Sequence, residues 1–241
     1  MNIALILAGG TGSRFGGDIP KQYLEAAGKP VIAYCLKTFA EHEKIDKIQI
    51  VADEEWRPFI YECAKAEGAE SCGKLHGFSV PGKNRQLSIW NGLKDILEYG
   101  GEEDIVIVHD AARPLVSKRI ISDCLEACRE HDGALTTIPV KDTVYYGRDG
   151  KIESLLDRDR LMAGQAPEAF RAGPYYRANE RLLPDKILQI NGSTEPAVLA
   201  GLDIACVAGE ERNFKITTRE DLARFEQILR GYCVADDFIV N

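Results

Sequence analysis

The chain has 241 residues, with 30 Lys and Arg against 38 Asp and Glu, for a formal net charge of −8 at pH 7. This length suits one large domain with a sizeable core, and the acidic balance excludes broad binding to nucleic acid or to an anionic membrane surface. At 45% hydrophobic and 28% charged residues the composition is not that of a disordered chain, and no apolar run approaches the ~18–20 residues of a membrane span.

In chain order, residues 3–7 read as a buried strand. The start has neither the basic leader nor the longer apolar region of a signal peptide, so a cytoplasmic protein is expected. After a glycine-rich loop, Val31, Ile32, Cys35, Leu36 and Phe39 recur at helical spacing, and Pro30 suits a first helical turn. A strand follows at 48–52, then a helix over 86–97 that brings Leu87, Trp90, Leu93 and Leu97 to one face. A β-rich run at 105–109 is followed by a helix carrying Ile120, Ile121, Leu125 and Cys128 on one side. A fourth strand is predicted at 134–140. Strand and helix alternating in this way favour a parallel sheet covered on both faces.

The order changes after Pro139. Residues 143–146 and 152–156 flank Arg148-Asp149-Gly150 and read as a hairpin, with Asp-Gly as the turn. An isolated two-stranded hairpin is marginal in water, so it is expected to lie on something, most simply a second copy of the chain. A strand at 203–207 and a helix at 219–229 close the sequence, with no repeat, low-complexity tract or linker. The prediction is a single α/β domain over 1–241, with a dimerisation arm at about 141–160. The seven cysteines, 35, 63, 72, 124, 128, 206 and 233, are irregularly spaced. Cys124 and Cys128 lie one turn apart, but no second pair or placed histidine completes a metal site, and all seven read as core or surface residues of a reduced compartment.

The most informative stretch is Leu7-Ala8-Gly9-Gly10-Thr11-Gly12-Ser13-Arg14, followed by Pro20-Lys21-Gln22. Glycines let backbone amides approach a ligand with no Cβ in the way, so a loop of this kind suits a polyphosphate or the edge of a base. The dinucleotide fingerprint fails because its third glycine position is Phe15, and a Walker loop fails for want of Gly-Lys-Ser/Thr. What remains is Gly-Gly-x-Gly-x-Arg with a following Pro-Lys, in which Arg14 and Lys21 suit the neutralisation of a triphosphate. A second stretch, Val108-His109-Asp110-Ala111-Ala112-Arg113-Pro114, closes a predicted strand. Ligands of open α/β sheets bind at the carboxyl ends of strands, so Asp110 is expected beside the glycine loop, where its carboxylate suits Mg²⁺. A third, Pro81-Gly82-Lys83-Asn84-Arg85-Gln86-Leu87-Ser88, opens a helix near the same edge. His109 reads as a packed neighbour, and none of the four histidines is given a chemical role.

Together these stretches resemble the cytidylyltransferases that act on 2-C-methyl-D-erythritol 4-phosphate and their ribitol 5-phosphate relatives. The likeness runs from Ile3 to Asn213-Phe214-Lys215-Ile216-Thr217 and the helix after it. It implies a Rossmann-like, mostly parallel sheet of nucleotidyltransferase type with a protruding arm. It also implies transfer of CMP from CTP to a polyol phosphate with release of pyrophosphate, as in isoprenoid or ribitol phosphate metabolism. The resemblance makes Arg14, Lys21 and Lys215 catalytic, and Ala8, Gly9, Gly10, Gly12, Gly82, Arg85 and Ser88 nucleotide contacts. It makes Asp110 the Mg²⁺ ligand, and Thr143 and Arg158 acceptor-phosphate contacts reaching into the partner of a homodimer; the second metal ligand stays open, with Glu211 and Asn213 as candidates.

The sequence departs from that family in two places. Where relatives carry Gln-Thr-Pro-Gln this chain has Gln165-Ala166-Pro167-Glu168, and where they carry Thr-Asp-Glu/Ala it has Ser193-Thr194-Glu195-Pro196. Leu7-Ala8-Gly9-Gly10 and Gly164-Gln165 lean towards the ribitol enzymes, whereas Pro139-Val140-Lys141-Asp142-Thr143 and Arg158 lean towards the methylerythritol enzymes. The acceptor therefore stays open between the two, or falls to another sugar or alcohol phosphate. A non-catalytic nucleotide-binding protein that kept the fold is the alternative, disfavoured by retention of Arg14, Lys21, Asp110 and Lys215. A nicotinamide-dependent dehydrogenase is disfavoured by Phe15.

Overall fold

In the first strand Ile3 and Leu5 pack to one side and Ala4 and Ile6 to the other, and all four are fully buried. A strand apolar on both faces belongs inside a sheet that is covered twice. The computed structural model, which describes residues 1–10, 15 and 19–231, has that arrangement.

The elements in order are β1 (Asn2–Leu7), β2 (Glu25–Ala26), β3 (Lys29–Pro30), α1 (Val31–Ala40), β4 (Lys47–Val51), α2 (Arg57–Ala66), β5 (Leu75–Ser79), α3 (Arg85–Ile96), β6 (Ile105–Asp110) and α4 (Lys118–Ala127). They continue with β7 (Gly133–Pro139), β8 (Tyr145–Arg148), β9 (Lys151–Leu155), β10 (Met162–Arg171), α5 (Ala172–Glu180), α6 (Glu195–Leu199), β11 (Ile204–Ala208) and α7 (Arg219–Leu229). Among the described residues the main sheet has seven strands, in the order β11-β7-β10-β6-β1-β4-β5. β1 runs parallel to both β4 and β6, with Leu7 opposite Val51 on one side and Asp110 on the other. Their carboxyl ends therefore share one edge. The α/β class and the mostly parallel sheet agree with the sequence reading.

One face carries Ile32, Leu36 and Phe39 of α1 and Ile120, Ile121 and Cys124 of α4 against Ala4, Ile6, Ile48 and Ile50. The other carries Ile89, Leu93 and Ile96 of α3 and Tyr175 of α5 against Ile3, Leu5, Val106 and Val108. The approach of α3 to β1 is close: a Cβ on Gly92 would lie 2.5 Å from Leu5 Cδ1, so any larger residue there would displace the Leu5 side chain.

Besides the short β2, β3 and α6, the elements not expected from sequence are α2, the edge strand β5, α5, and above all β10. This ten-residue strand lies between β6 and β7 and is antiparallel to both. Its direction follows from connectivity. The chain leaves the sheet at Pro139, makes the arm, and returns with Met162 opposite Pro139, so β7 and β10 form a long hairpin whose tip is the arm. In the arm itself, Asp149 and Gly150 join β8 and β9 with φ of 51° and 76°, the two positive values that a tight two-residue hairpin turn requires. β8 begins two residues later than expected, at Tyr145, and β9 one residue earlier, at Lys151. The six described cysteines are unbridged; Cys233 lies outside the described residues.

Candidate active site

The loop after β1 is tied down from beneath. The amide of Ala8 donates to Val51 O at 2.8 Å, while Ala8 O accepts from Gln22 Nε2 at 2.6 Å and from the Tyr23 hydroxyl at 2.8 Å. Gln22 Nε2 also reaches Gly10 O at 2.8 Å. Gln22 is nearly fully buried, in a 3₁₀ turn (Lys21–Tyr23) that begins at Lys21, so the amide that clamps the loop and the cation beside it come from one short segment. Tyr23 is fixed in turn by stacking on Trp56, with ring centroids 4.3 Å apart.

A second loop closes against the first. A Cβ on Gly9 would stand 2.5 Å from Pro81 Cβ, so only glycine permits the contact. The Gly82 amide donates to Ser88 Oγ at 2.9 Å, and that hydroxyl donates to Asn84 O at 2.9 Å. Asn84 caps α3 by accepting from the Leu87 amide at 2.9 Å. The Ser88 hydroxyl, expected from the resemblance to read the base or ribose, thus holds the 82–84 turn in place.

Between the two loops lies a cleft of about 380 Å³. Its lining includes Gly9, Gly10, Lys21, Gly82, Arg85, Ser88, Asp110 and Lys215, which brings most of the sequence-predicted residues together. Ala8 is buried just behind the loop. Gly12 and Arg14 lie outside the described residues. Thr143 and Arg158 are not in the cleft: both belong to the arm, where Arg158 donates to Lys141 O at 2.9 Å.

Asp110 is the electrostatic centre. Its Oδ1 lies 3.1 Å from Arg85 Nε, and its Oδ2 lies 3.0 Å from Lys215 Nζ and 3.4 Å from Arg113 Nε. Burial alone would raise this carboxyl, but Arg85, Lys215 and Arg113 outweigh it and hold Asp110 well below the usual carboxylate range. Arg113 also donates to Asn213 O at 2.7 Å and so ties the end of β6 to the segment that carries Lys215. The sequence reading gives neither Arg113 nor Gln22 a role; Gln22 follows Lys21 directly and Arg113 lies three residues after Asp110, and that nearness was the available signal. His109 is fully buried, packs on Phe39 and lies 3.0 Å from Arg113 O, with burial pushing its pKa down to about 4, so at neutral pH it is an uncharged core residue.

The arrangement can receive a polyanion. Among the described residues, Lys21, Lys83, Arg85 and Lys215 face the cleft against one lining carboxylate, a local excess of positive charge in an acidic chain. Glycine-loop amides at the end of β1 add fixed dipoles of the same sign.

Comparison with known proteins agrees with this geometry. The family model described as "IspD: 2-C-methyl-D-erythritol 4-phosphate cytidylyltransferase" matches residues 2–231. The 2-C-methyl-D-erythritol 4-phosphate cytidylyltransferase of Geobacter metallireducens is 35% identical over 230 residues, covering 94% of this chain and 97% of that one. The ribitol-5-phosphate cytidylyltransferase of Lacticaseibacillus paracasei is 30% identical over 233 residues, covering 95% and 98%. Among solved structures, a 4-diphosphocytidyl-2C-methyl-D-erythritol synthase superposes with a TM-score of 0.77 at 27% identity, covering 95% of this chain and 98% of that one. The Francisella tularensis 2-C-methyl-D-erythritol 4-phosphate cytidylyltransferase gives 0.76 at 25%, covering 93% and 99%. With the family model spanning nearly the whole length and the two loops meeting over Asp110, this chain belongs to the 2-C-methyl-D-erythritol 4-phosphate cytidylyltransferase family.

Proposed function

We propose that this chain binds CTP in the cleft between the 8–10 and 80–84 loops and transfers CMP to a polyol phosphate. The observation that carries the reading is the convergence of Lys21, Arg85, Asp110 and Lys215 on one cleft beside the glycine loop. An oxygen of the acceptor's phosphate attacks the α-phosphorus of CTP, a new P–O–P linkage forms, and the bond to the β-phosphate oxygen breaks as pyrophosphate departs. The acceptor phosphate is already ionised near neutral pH, so no side chain has to remove a proton. The work of the protein is positioning and neutralisation of the charge that gathers on the bridging and leaving oxygens. Lys21 and Lys215 supply that charge, and Arg14 is assigned to the same task.

The donor set suits Mg²⁺ through Asp110. That ion is commonly held by one or two carboxylates plus substrate phosphates, and Asp110 is a carboxylate at the cleft wall kept ionised by its neighbours. Of the two candidate second ligands, Glu211 pairs with Lys141 at 2.8 Å, and Asn213 donates through its Nδ2 to Ala166 O at 2.7 Å while its Oδ1 is buried without a partner among the described residues; neither is among the residues that line the cleft. When bound, Mg²⁺ would add Lewis-acid neutralisation of the phosphate oxygens.

Thr143 and Arg158 are assigned to the acceptor phosphate of a second subunit. Tyr145, Tyr146, Ile152 and Leu155 leave apolar side chains exposed on both strands of the arm, a surface that a second copy would cover. No described helix is long and apolar enough to cross a membrane, and the cytoplasm is proposed as the location. The relatives' names cover two acceptors, so the test takes both. Purified protein with CTP and Mg²⁺ is expected to release pyrophosphate with 2-C-methyl-D-erythritol 4-phosphate or ribitol 5-phosphate. Absence of release with both, and across a wider panel of polyol phosphates, would refute the reading.

A further inference from the structure

Behind the cleft is a carboxylate that the proposed reaction does not use. Glu168 stands on β10 opposite Val108 of β6, just past the irregularity between Gln165 and Glu168. Its side chain is nearly fully buried and does not line the cleft. It accepts a hydrogen bond from the Ser193 hydroxyl and a second from the Thr194 hydroxyl at 2.9 Å. On its other side, Arg85 Nη2 approaches Oε1 at 3.8 Å. Arg85 is therefore shared: its Nε faces Asp110 at 3.1 Å and its Nη2 faces Glu168. The two segments in which the sequence departs from the family pattern, 165–168 and 193–196, thus meet at one contact.

Burying a carboxylate is costly unless it is paired and hydrogen-bonded. Burial raises the Glu168 carboxyl, and Arg85 with the two hydroxyls offsets only part of the rise. A glutamine of the same shape would fill the space, accepting from one of the two hydroxyls and donating to the other. What it would not do is attract Arg85. A guanidinium released from one side can turn to a fork-to-fork pairing with a single carboxylate, the strongest arrangement open to it. For Arg85 that partner is Asp110, and closing onto it would draw the guanidinium from the cleft and neutralise the carboxylate.

We infer that Glu168 is a positioning residue for Arg85: its buried charge, fixed by Ser193 and Thr194, holds the guanidinium between two carboxylates, so that its donors are not all drawn to Asp110 and some remain for the nucleotide. This deepens the proposed CTP site and rests on it.

The test is a double-mutant cycle of E168Q and R85Q, read by CTP binding in calorimetry without acceptor and by kcat and KM for CTP. The expected result for E168Q is a loss of about tenfold in CTP affinity and in kcat/KM, with a melting temperature equal to or above that of the parent. On the R85Q background the same substitution is expected to change both by less than about twofold, because its effect passes through Arg85. T194V, which leaves the carboxylate but removes one hydroxyl that fixes it, is expected to lower CTP affinity by about threefold and keeps the test open if E168Q folds poorly. Parent-like CTP affinity in both E168Q and T194V, or an equal loss from E168Q in the R85Q background, would overturn the inference. A parent protein that binds CTP but transfers nothing would count against the proposed reaction and leave the Glu168 measurement standing.

Discussion

The cleft and the arm are built on opposite principles. In the cleft nearly every functional group is engaged inside the chain: Asp110 meets three cations, Gln22 clamps two carbonyls, and Ser88 bridges Gly82 and Asn84. In the arm, two short strands hold each other through a tight turn and present Tyr145, Tyr146, Ile152 and Leu155 outward, all more than half exposed. A preorganised charged site needs a rigid frame, and the parallel strand ends supply it. An exposed apolar hairpin needs a partner, and one chain does not supply it. On the proposed reading the nucleotide half of the site is built within one copy, whereas the acceptor half is assigned to two.

The largest effect that can break this contrast is expected from Asp110→Asn. It leaves Arg85, Arg113 and Lys215 without their shared counter-charge, and removing one partner of a buried ionic cluster costs roughly 3–5 kcal/mol. Turnover and melting temperature should both fall. Because Asp110 is held below its unfolded value, its contribution is complete above the ordinary carboxylate range and is lost as pH falls through the folded value. A melting-temperature profile of the asparagine variant should therefore show a shallower acid limb than that of the parent.

Lys215→Ala comes next and separates chemistry from folding. The ammonium is about one-third exposed, so stability should change little, while loss of one preorganised charge contact should lower kcat by about 10²–10³-fold. Steady-state pyrophosphate release beside a thermal melt reads both quantities. Leu155→Glu tests the arm. It should leave the fold intact, weaken self-association in sedimentation velocity by about tenfold or more, and lower turnover without changing CTP affinity. If CTP affinity fell as much as turnover, the division of labour between the two regions would be wrong. Gly9→Ala should have the smallest effect. Its new methyl meets Pro81, costing about 1–3 kcal/mol of stability and raising KM for CTP a few-fold.

How far the sequence revealed the molecule differs between these regions for physical reasons. The strands that end at the cleft, β1, β4 and β6, are runs of Ile, Val and Leu buried on both faces, and such runs stand out against flanking glycine and charge. The Asp149-Gly150 turn fixed the arm by its chemistry alone. β10 was hidden because Gly164, Gln165, Pro167 and Glu168 break every strand pattern. Its polar residues are buried because they bond inward: Gln165 Nε2 to Glu210 O at 3.0 Å, and Glu168 to Ser193 and Thr194. Those partners lie far along the chain, so no local rule could pair them. Lys21, Arg85, Asp110 and Lys215 are all legible in the sequence motifs, yet the meeting of Asp110 with Arg85, Arg113 and Lys215 depends on strands lying side by side.

The most direct test of the central claim is turnover by the Lys21→Ala variant under saturating CTP and Mg²⁺, with its melting temperature measured in the same preparation. Lys21 lines the cleft from the turn that also clamps the glycine loop, and the expected result is a loss of about 10²–10³-fold in kcat with the fold retained. A folded Lys21→Ala protein that releases pyrophosphate at the parent rate would contradict the account.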